Sequence, residues 1–295
     1  MSKFLIIGNC IVDQVMYLPH YPQQDEELRA SDKSMVLGGN ACNSAQILAQ
    51  LGQDVHLLSS LADDSDAQWI KDQLSLQGIN SAYCVTKKGY KTAYSNIWIN
   101  QQNGSRTIAH FRELPELSVD DLKQINVNDF DWIHFEGRNI SALTEFITTR
   151  QAEFNVLKGR VSLEIEKPRQ GIEALLPFFG VAIVSSTYLQ STGLSTDDCI
   201  TLFRTFNPTI KIVCTLGDKG LYASDETATN YRIQAESIDG VQDTIGAGDC
   251  FIAALINALI KPMDFKQSLI AANKLAAYKI QKVGMTINGY QNSNL

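Results

Sequence analysis

Apolar residues in this chain fall into short continuous runs, separated by stretches with a helical period. "FLIIG" near the start reads as a strand buried on both faces. Residues 40–51, "NACNSAQILAQL", read as a helix ended by Gly52. "DVHLLSSL" is a strand again, and residues 64–77 form a helix with Gly78 just beyond it. "WIHFEG", "RVSLEIE", "VAIVSS" and "IKIVCTLG" are further short apolar runs, with helical segments near 141–155, 170–178 and 196–206. Two last helices are expected at about 248–259 and 264–282. Strands that are apolar almost throughout need helices over both faces, so the alternation predicts an α/β fold with a mainly parallel central sheet.

Two regions break the rhythm. Residues 12–36 and 90–112 read as amphipathic strands, the second region as a hairpin turning at 101–104. They predict a small separate β-sheet, built from two insertions and lying as a lid over one edge of the large sheet, where it would exclude water. The expected organisation is a large α/β domain (1–11, 37–89 and 113–290), a discontinuous β-lid (12–36 and 90–112) and a frayed tail (291–295). The lid's apolar positions Ile97, Ile99 and Ile108 need a covering partner, either the large domain or the lid of a second copy.

Composition narrows the function classes. The 295 residues are 44% hydrophobic and 19% charged, which suits a chain with a sizeable core. A net charge of -7 argues against broad nucleic-acid binding. No run approaches the roughly 18 apolar residues of a membrane span, and the first apolar run is too short for a secretory leader. Six cysteines and four histidines are scattered without metal-ligand spacing, so free thiols in a reducing cytoplasm are expected rather than a zinc site.

Four stretches are candidates for chemistry, and each also has a purely architectural explanation. "GGN" at Gly38–Asn40, with Asn43 one turn on, is either a glycine turn with an Asn N-cap or a pair of carboxamides facing a polyhydroxyl ligand. Asp13 and Asp25 are loop carboxylates or acceptors for vicinal hydroxyls. "TLGDKG", Thr215 to Gly220, is a turn or a place where backbone approaches a nucleotide. "DTIGAGD", Asp243 to Asp249, starts an apolar helix. Its glycines expose N–H groups at the positive end of a helix dipole, a ready anion site. Asp249 would then accept a proton from a hydroxyl attacking a phosphorus. At its reference pKa of about 3.9 it would be an ionised, weak base. Asp243 reads as a residue shaping the loop. No GxxxxGK[ST] and no GxGxxG is present.

With these stretches in order, the chain resembles the ribokinase-type (PfkB) carbohydrate kinases. "GGNACNSAQILAQLG" resembles their N-terminal signature, and "DTIGAGDCFIAALINALI" their C-terminal signature D-T-x-G-A-G-D. "YPQQDEELRA", "NGSRTIAHFRELPELS", "FDWIHFEGRN" and "VSLEIEKPR" resemble segments of the ketohexokinase branch. The resemblance implies a ribokinase-like three-layer sandwich with a β-lid, and transfer of the γ-phosphoryl group of ATP to a primary hydroxyl of a ketohexose. Another sugar or nucleoside kinase, or a non-catalytic sensor on the same scaffold, are the alternatives.

The same resemblance implies the roles. Asp249 is the base, and Gly246, Ala247 and Gly248 are the anion hole. Asp13, Asp25, Gly39, Asn40 and Asn43 bind the sugar. Arg106, Thr215, Gly217, Asp218, Lys219, Gly220, Asn273 and Ala277 bind the nucleotide. Glu136, Arg138 and Asn139 cluster on the phosphate and metal side. Magnesium is implied as cofactor, with potassium a further candidate, and a homodimer clasped through the lids is implied as the assembly. The family's N-x-x-E motif is missing from "VAIVSSTYLQST". No direct metal ligand is therefore assigned, and Glu164 and Glu166 are the candidate replacements.

Overall fold

The structure is a computed structural model and describes residues 1–290. The expected tail, 291–295, lies outside the described residues. The strands are β1 (Lys3–Ile7), β2 (Ile11–Leu18), β3 (Asp32–Gly38), β4 (Asp54–Leu58), β5 (Ser60–Leu61), β6 (Val85–Thr86), β7 (Tyr94–Asn100), β8 (Arg106–Phe111), β9 (Trp132–Glu136), β10 (Val161–Ile165), β11 (Val181–Val184), β12 (Lys211–Thr215), β13 (Leu221–Ser224) and β14 (Asn230–Ile233). The α-helices are α1 (Asn40–Gln50), α2 (Ser65–Leu76), α3 (Val119–Lys123), α4 (Ile140–Thr149), α5 (Gln151–Leu157), α6 (Ser186–Thr192), α7 (Thr196–Phe206), α8 (Ala247–Leu259) and α9 (Phe265–Lys279).

Eight strands form the large sheet in the order β14-β13-β12-β11-β10-β9-β1-β4. The six from β12 to β4 are parallel, and β13 and β14 add an antiparallel edge. Alternate residues of each strand feed two separate cores. Phe4 and Ile6 pack with α1, α2, α8 and α9, while Leu5 and Ile7 pack with α4, α5 and α7. This is the three-layer α/β arrangement expected from the sequence.

The small sheet has the order β3-β2-β7-β8, with β2 and β7 parallel and the outer pairs antiparallel. It draws on both predicted insertions, and its hairpin turns at 101–104 with Gly104 at φ 69°. The strand register sets Asp13, Ser95 and His110 in one row and Val15, Ile97 and Ile108 in the next.

Two expected helices take a different form. The segment 141–155 divides at Arg150, where φ is -119°. Thr148 and Thr149 donate their hydroxyls to carbonyls of the preceding turn, competing with helix continuation. The segment 170–178 is a 3-10 helix, Ile172–Phe178, and contains Pro177, which has no N–H to extend an α-helical ladder. "DVHLLSSL" breaks into β4 and β5.

Asp64 caps α2 through the N–H of Ala67 and also accepts from the N–H and hydroxyl of Thr92, at the entry to β7. One carboxylate therefore ties α2 to the segment that leads into the small sheet. Asp64→Ala is expected to destabilise the protein by about 1–3 kcal/mol, the sum of a lost cap and an unpaired polar site. A melting temperature equal to that of the parent protein would refute this.

Candidate active site

The N-terminus of α8 is built around Gly246, whose φ of 70° places it in the left-handed region. A Cβ there would stand 2.2 Å from Met285 Sδ, so contact as well as conformation requires glycine. No side chain caps this helix. Its first-turn N–H groups, at Ala247, Gly248 and Asp249, therefore have no side-chain acceptor; Ala247 bonds the carbonyl of Thr244 at 3.3 Å. Gly248 is exposed, and a Cβ on it would meet nothing within 4 Å. The protein's own packing does not demand a glycine here. The open space in front of it suits a close-approaching anion.

Asp249 follows in the first turn and is only 8% exposed. Its Oδ2 accepts from Asn43 Nδ2 at 2.7 Å, and its carbonyl from Ser44 Oγ at 3.2 Å. Burial pushes its pKa up to about 7, with the charges of Glu136 and Glu166 adding to the rise; the Asn43 hydrogen bond and the Lys279 ammonium oppose it. The expectation of an ordinary carboxylate near 3.9 is corrected here. Desolvation makes Asp249 a much stronger base than its residue type implies.

Beside it lies a cavity of about 210 Å³ between the small sheet and residues of α1, α2 and the chain around 243–245 and 283–285. Asp13 and Asn43 line it, together with Gln46, Gln73, Trp69 and Met285, none of which the motifs had singled out. Asp13 is 8% exposed, its Oδ1 has no partner, and burial raises its pKa to about 6 against a lowering hydrogen bond from Ser95. Gly38 leaves room for this carboxylate, since a Cβ there would stand 2.1 Å from Asp13 Oδ2. Asp13 Oδ1 is therefore a buried acceptor without a donor among the described residues, the condition a ligand hydroxyl would relieve.

The two carboxamides diverge. Asn43 turns to Asp249, whereas Asn40 Nδ2 donates to Glu164 Oε1 at 2.9 Å. The N-cap of α1 is Gly39, at φ 94° and with no side-chain cap, so the alternative of an Asn40 N-cap is corrected. A Cβ on Gly39 would stand 2.5 Å from the carbonyl oxygen of Asn9. Asp25 is exposed in the β2–β3 connection at φ 62° and does not line the cavity.

Behind Asp249, the ends of β9 and β10 carry an acidic cluster. Glu136 accepts from Asn9 N at 2.7 Å and pairs with Arg138 at 3.1 Å. Arg138 also pairs with Glu116 at 2.6 Å, and Arg112 with Glu116 at 3.2 Å. Asn139 instead donates to the carbonyl of Leu117. Glu164 is buried with Oε2 unpartnered, and burial followed by the charges of Glu136 and Asp249 holds its pKa well above the usual range. Glu166 lies half-buried beside Lys167. Among the described residues no group of three or more His, Cys, Asp or Glu could hold a metal ion directly, so these carboxylates are candidates only for the water shell of one.

The nucleotide candidates are less uniform. Arg106, at the start of β8, reaches down from the lid and donates to Thr244 Oγ1 at 2.6 Å, beside the glycine loop. Thr215 ends β12, and Gly217, Asp218, Lys219 and Gly220 lie in the turn to β13. Thr215 Oγ1 donates to the carbonyl of Val184, and Asp218 and Lys219 are exposed. Gly220 is required by β14, because a Cβ would lie 2.1 Å from the carbonyl oxygen of Ile233; Gly217 has open space before it. Asn273 on α9 donates to the carbonyl of Gln234, and Ala277 lies one turn along the same face.

A family profile described as "pfkB family carbohydrate kinase" matches residues 1–291, and the chain belongs to that family. It is 29% identical to the ketohexokinase of Mus musculus, over 94% of this chain and 96% of that one. It is 24% identical to the ribokinase of Staphylococcus aureus (strain COL), over 96% and 95%. In fold it is similar to the ribokinase of Giardia lamblia (TM-score 0.79, 17% identity, 97% and 96% covered). The Arabidopsis thaliana ribokinase complexed with ribose and ATP superposes with a TM-score of 0.75 at 18% identity, covering 96% and 94%. No helix among the described residues is long and apolar enough to cross a membrane.

The raised pKa of Asp249 has a testable sign. Its proton is held more tightly in the folded chain than in the unfolded one, so stability falls as pH rises from about 4 to 7. Asp249→Asn is expected to match the parent protein near pH 4.5 and to melt roughly 5 °C higher at pH 8. Equal melting temperatures at both pH values would show that the carboxylate is not strained by burial.

Proposed function

We propose that this pfkB-family protein is an ATP-dependent kinase of ketohexoses, phosphorylating a primary hydroxyl, with C1 of fructose the first candidate. One observation carries the reading. A buried carboxylate of raised pKa, Asp249, is held by Asn43 at the wall of the lid cavity and sits in the uncapped first turn of α8. The likeness to mouse ketohexokinase supports the choice of sugar.

In this mechanism Asp13 and Asn43 accept and donate hydrogen bonds to the sugar, with Asn40 steadied by Glu164. Asp249 takes the proton of the primary hydroxyl as its oxygen bonds to the γ-phosphorus and the bond to the ADP oxygen breaks. Negative charge on the moving phosphoryl group meets the N–H groups of the Gly246–Gly248 turn, which need no reorganisation. Arg106 brings a positive charge over the same loop. The 215–220 turn, Asn273 and Ala277 hold the nucleoside part. A magnesium ion arriving with the nucleotide would supply positive charge to its phosphates, and Glu164 and Glu166 would be the residues to hold its water shell.

A second reading has its own support. Trp69, Ile97, Ile99 and Met285 give the cavity an apolar wall that a nucleoside base would fill, and ribokinases are also similar. A panel of fructose, other ketoses, ribose and adenosine, followed by ADP release with the product's phosphate position read by NMR, separates these. Fructose is expected to lead, with Asp249→Ala losing turnover by at least about 10³-fold while still binding MgATP. Ribose or adenosine far ahead of fructose would overturn the ketohexose assignment.

The lid also bears on assembly. Met35 and Val36 on β3, and Ile108 and Phe111 on β8, are 38–51% exposed on the two edge strands. A second lid packed against them would cover these edges and bring Asp25 toward the partner's cavity. Sedimentation at micromolar concentration is expected to give a dimer, and a monomer would remove this assembly.

A further inference from the structure

Lys279, the last residue of α9, is fully buried, an unusual place for an ammonium group. Its Nζ contacts three oxygens: the Asp243 carbonyl at 3.1 Å, Asp243 Oδ2 at 3.4 Å, and the carbonyl of Ile245. Three acceptors call for three donors, which only the protonated amine has. Burial draws its pKa down, and the Asp243 carboxylate draws it back up.

These oxygens belong to the loop that leads into α8. In a planar trans peptide the N–H points away from the C=O. Holding the Ile245 carbonyl on Nζ therefore turns the N–H of Gly246 to the opposite side. Holding the Asp243 carbonyl does the same for the N–H of Thr244. The rest of the loop is pinned to the chain after α9. Gln242 N and Asp243 N both donate to the Ile280 carbonyl, Gly284 N donates to Asp243 Oδ2, and Ile245 N folds back onto Asp243 Oδ1.

Two carbonyls and a carboxylate turned to one point are the donor set that a potassium ion takes. Here Nζ occupies that point, so potassium fits this loop only by displacing Lys279.

We propose that Lys279 is a built-in cation beneath the anion loop, a positioning residue that orients the loop's N–H groups and makes phosphoryl transfer independent of added potassium. This rests on the kinase reading above.

The test compares potassium, ammonium and tetramethylammonium chlorides at equal ionic strength. The parent protein's kcat, with the best sugar of the panel, is expected to change by less than about twofold among them, below the worth of a positioned transition-state contact. Lys279→Ala should lose about 10²-fold in kcat with a smaller change in sugar KM, and potassium or ammonium should restore about tenfold. Lys279→Met, which fills the space without charge, should show the loss and no restoration. Strong potassium activation of the parent protein, an unimpaired Lys279→Ala, or a loss that neither cation relieves would each overturn the proposal. Melting temperatures give a readout that needs no substrate. Potassium or ammonium, against tetramethylammonium, should raise that of Lys279→Ala by a few degrees and leave that of the parent protein unchanged. Failure of the sugar panel with this cation pattern intact would discard the kinase reading and keep the built-in cation. A melting temperature of Lys279→Ala indifferent to cations would discard the latter.

Discussion

A single hydrogen bond, 2.7 Å from Asn43 Nδ2 to Asp249 Oδ2, spans 206 residues of sequence and joins α1 to α8. It connects the first turns of two buried helices, and Ser44 adds a second tie to the carbonyl of the same aspartate. Burying a carboxylate is costly unless it is paired. Among the described residues one carboxamide donates to the side chain, and burial leaves the group a raised proton affinity. Burial of α8 sets the raised proton affinity of its aspartate, and this contact fixes where the carboxylate sits.

Around that contact, charge is arranged in layers. Lys279 donates to the carbonyls of Asp243 and Ile245 in the loop before α8, and the space before Gly248 is open. On the flank, Glu136 and Glu164 are brought together by neighbouring parallel strands, where they face each other in register. Arg138 and Arg112 balance Glu136 and Glu116. Glu164 receives only the amide of Asn40 and keeps one oxygen free. The site is therefore acidic and underpaired on the side where a metal ion accompanying a nucleotide would bring positive charge.

Much of the architecture could be read from the residues. The runs "FLIIG", "WIHFEG" and "VAIVSS" are apolar almost throughout because both faces of their strands are covered, and they became β1, β9 and β11. Gly52 and Gly78 closed their helices with positive φ, a conformation that other residues adopt at a cost. The break of 141–155 at Arg150 was not legible, because threonine back-bonding competes with the helix only in a particular side-chain arrangement. For the site, "DTIGAGD" marked the turn. Gln46 and Trp69 carried no signal, since a residue on a helix face looks the same whether it meets core or cavity, and Met285 lies in the irregular chain after α9 outside any motif.

The sequence alone determined the alternating elements, the two insertions that form the small sheet and the order of the motifs, because these depend on local periodicity and on glycine's conformational freedom. Only the tertiary structure decided the chemistry those motifs meet. It turned Asn40 away to Glu164 and gave Gly220 a packing reason. It raised Asp249 to about 7 and placed the ammonium of Lys279 beneath the loop. Proton affinity and charge placement depend on burial and on partners tens to hundreds of residues away, and no local window of sequence contains them.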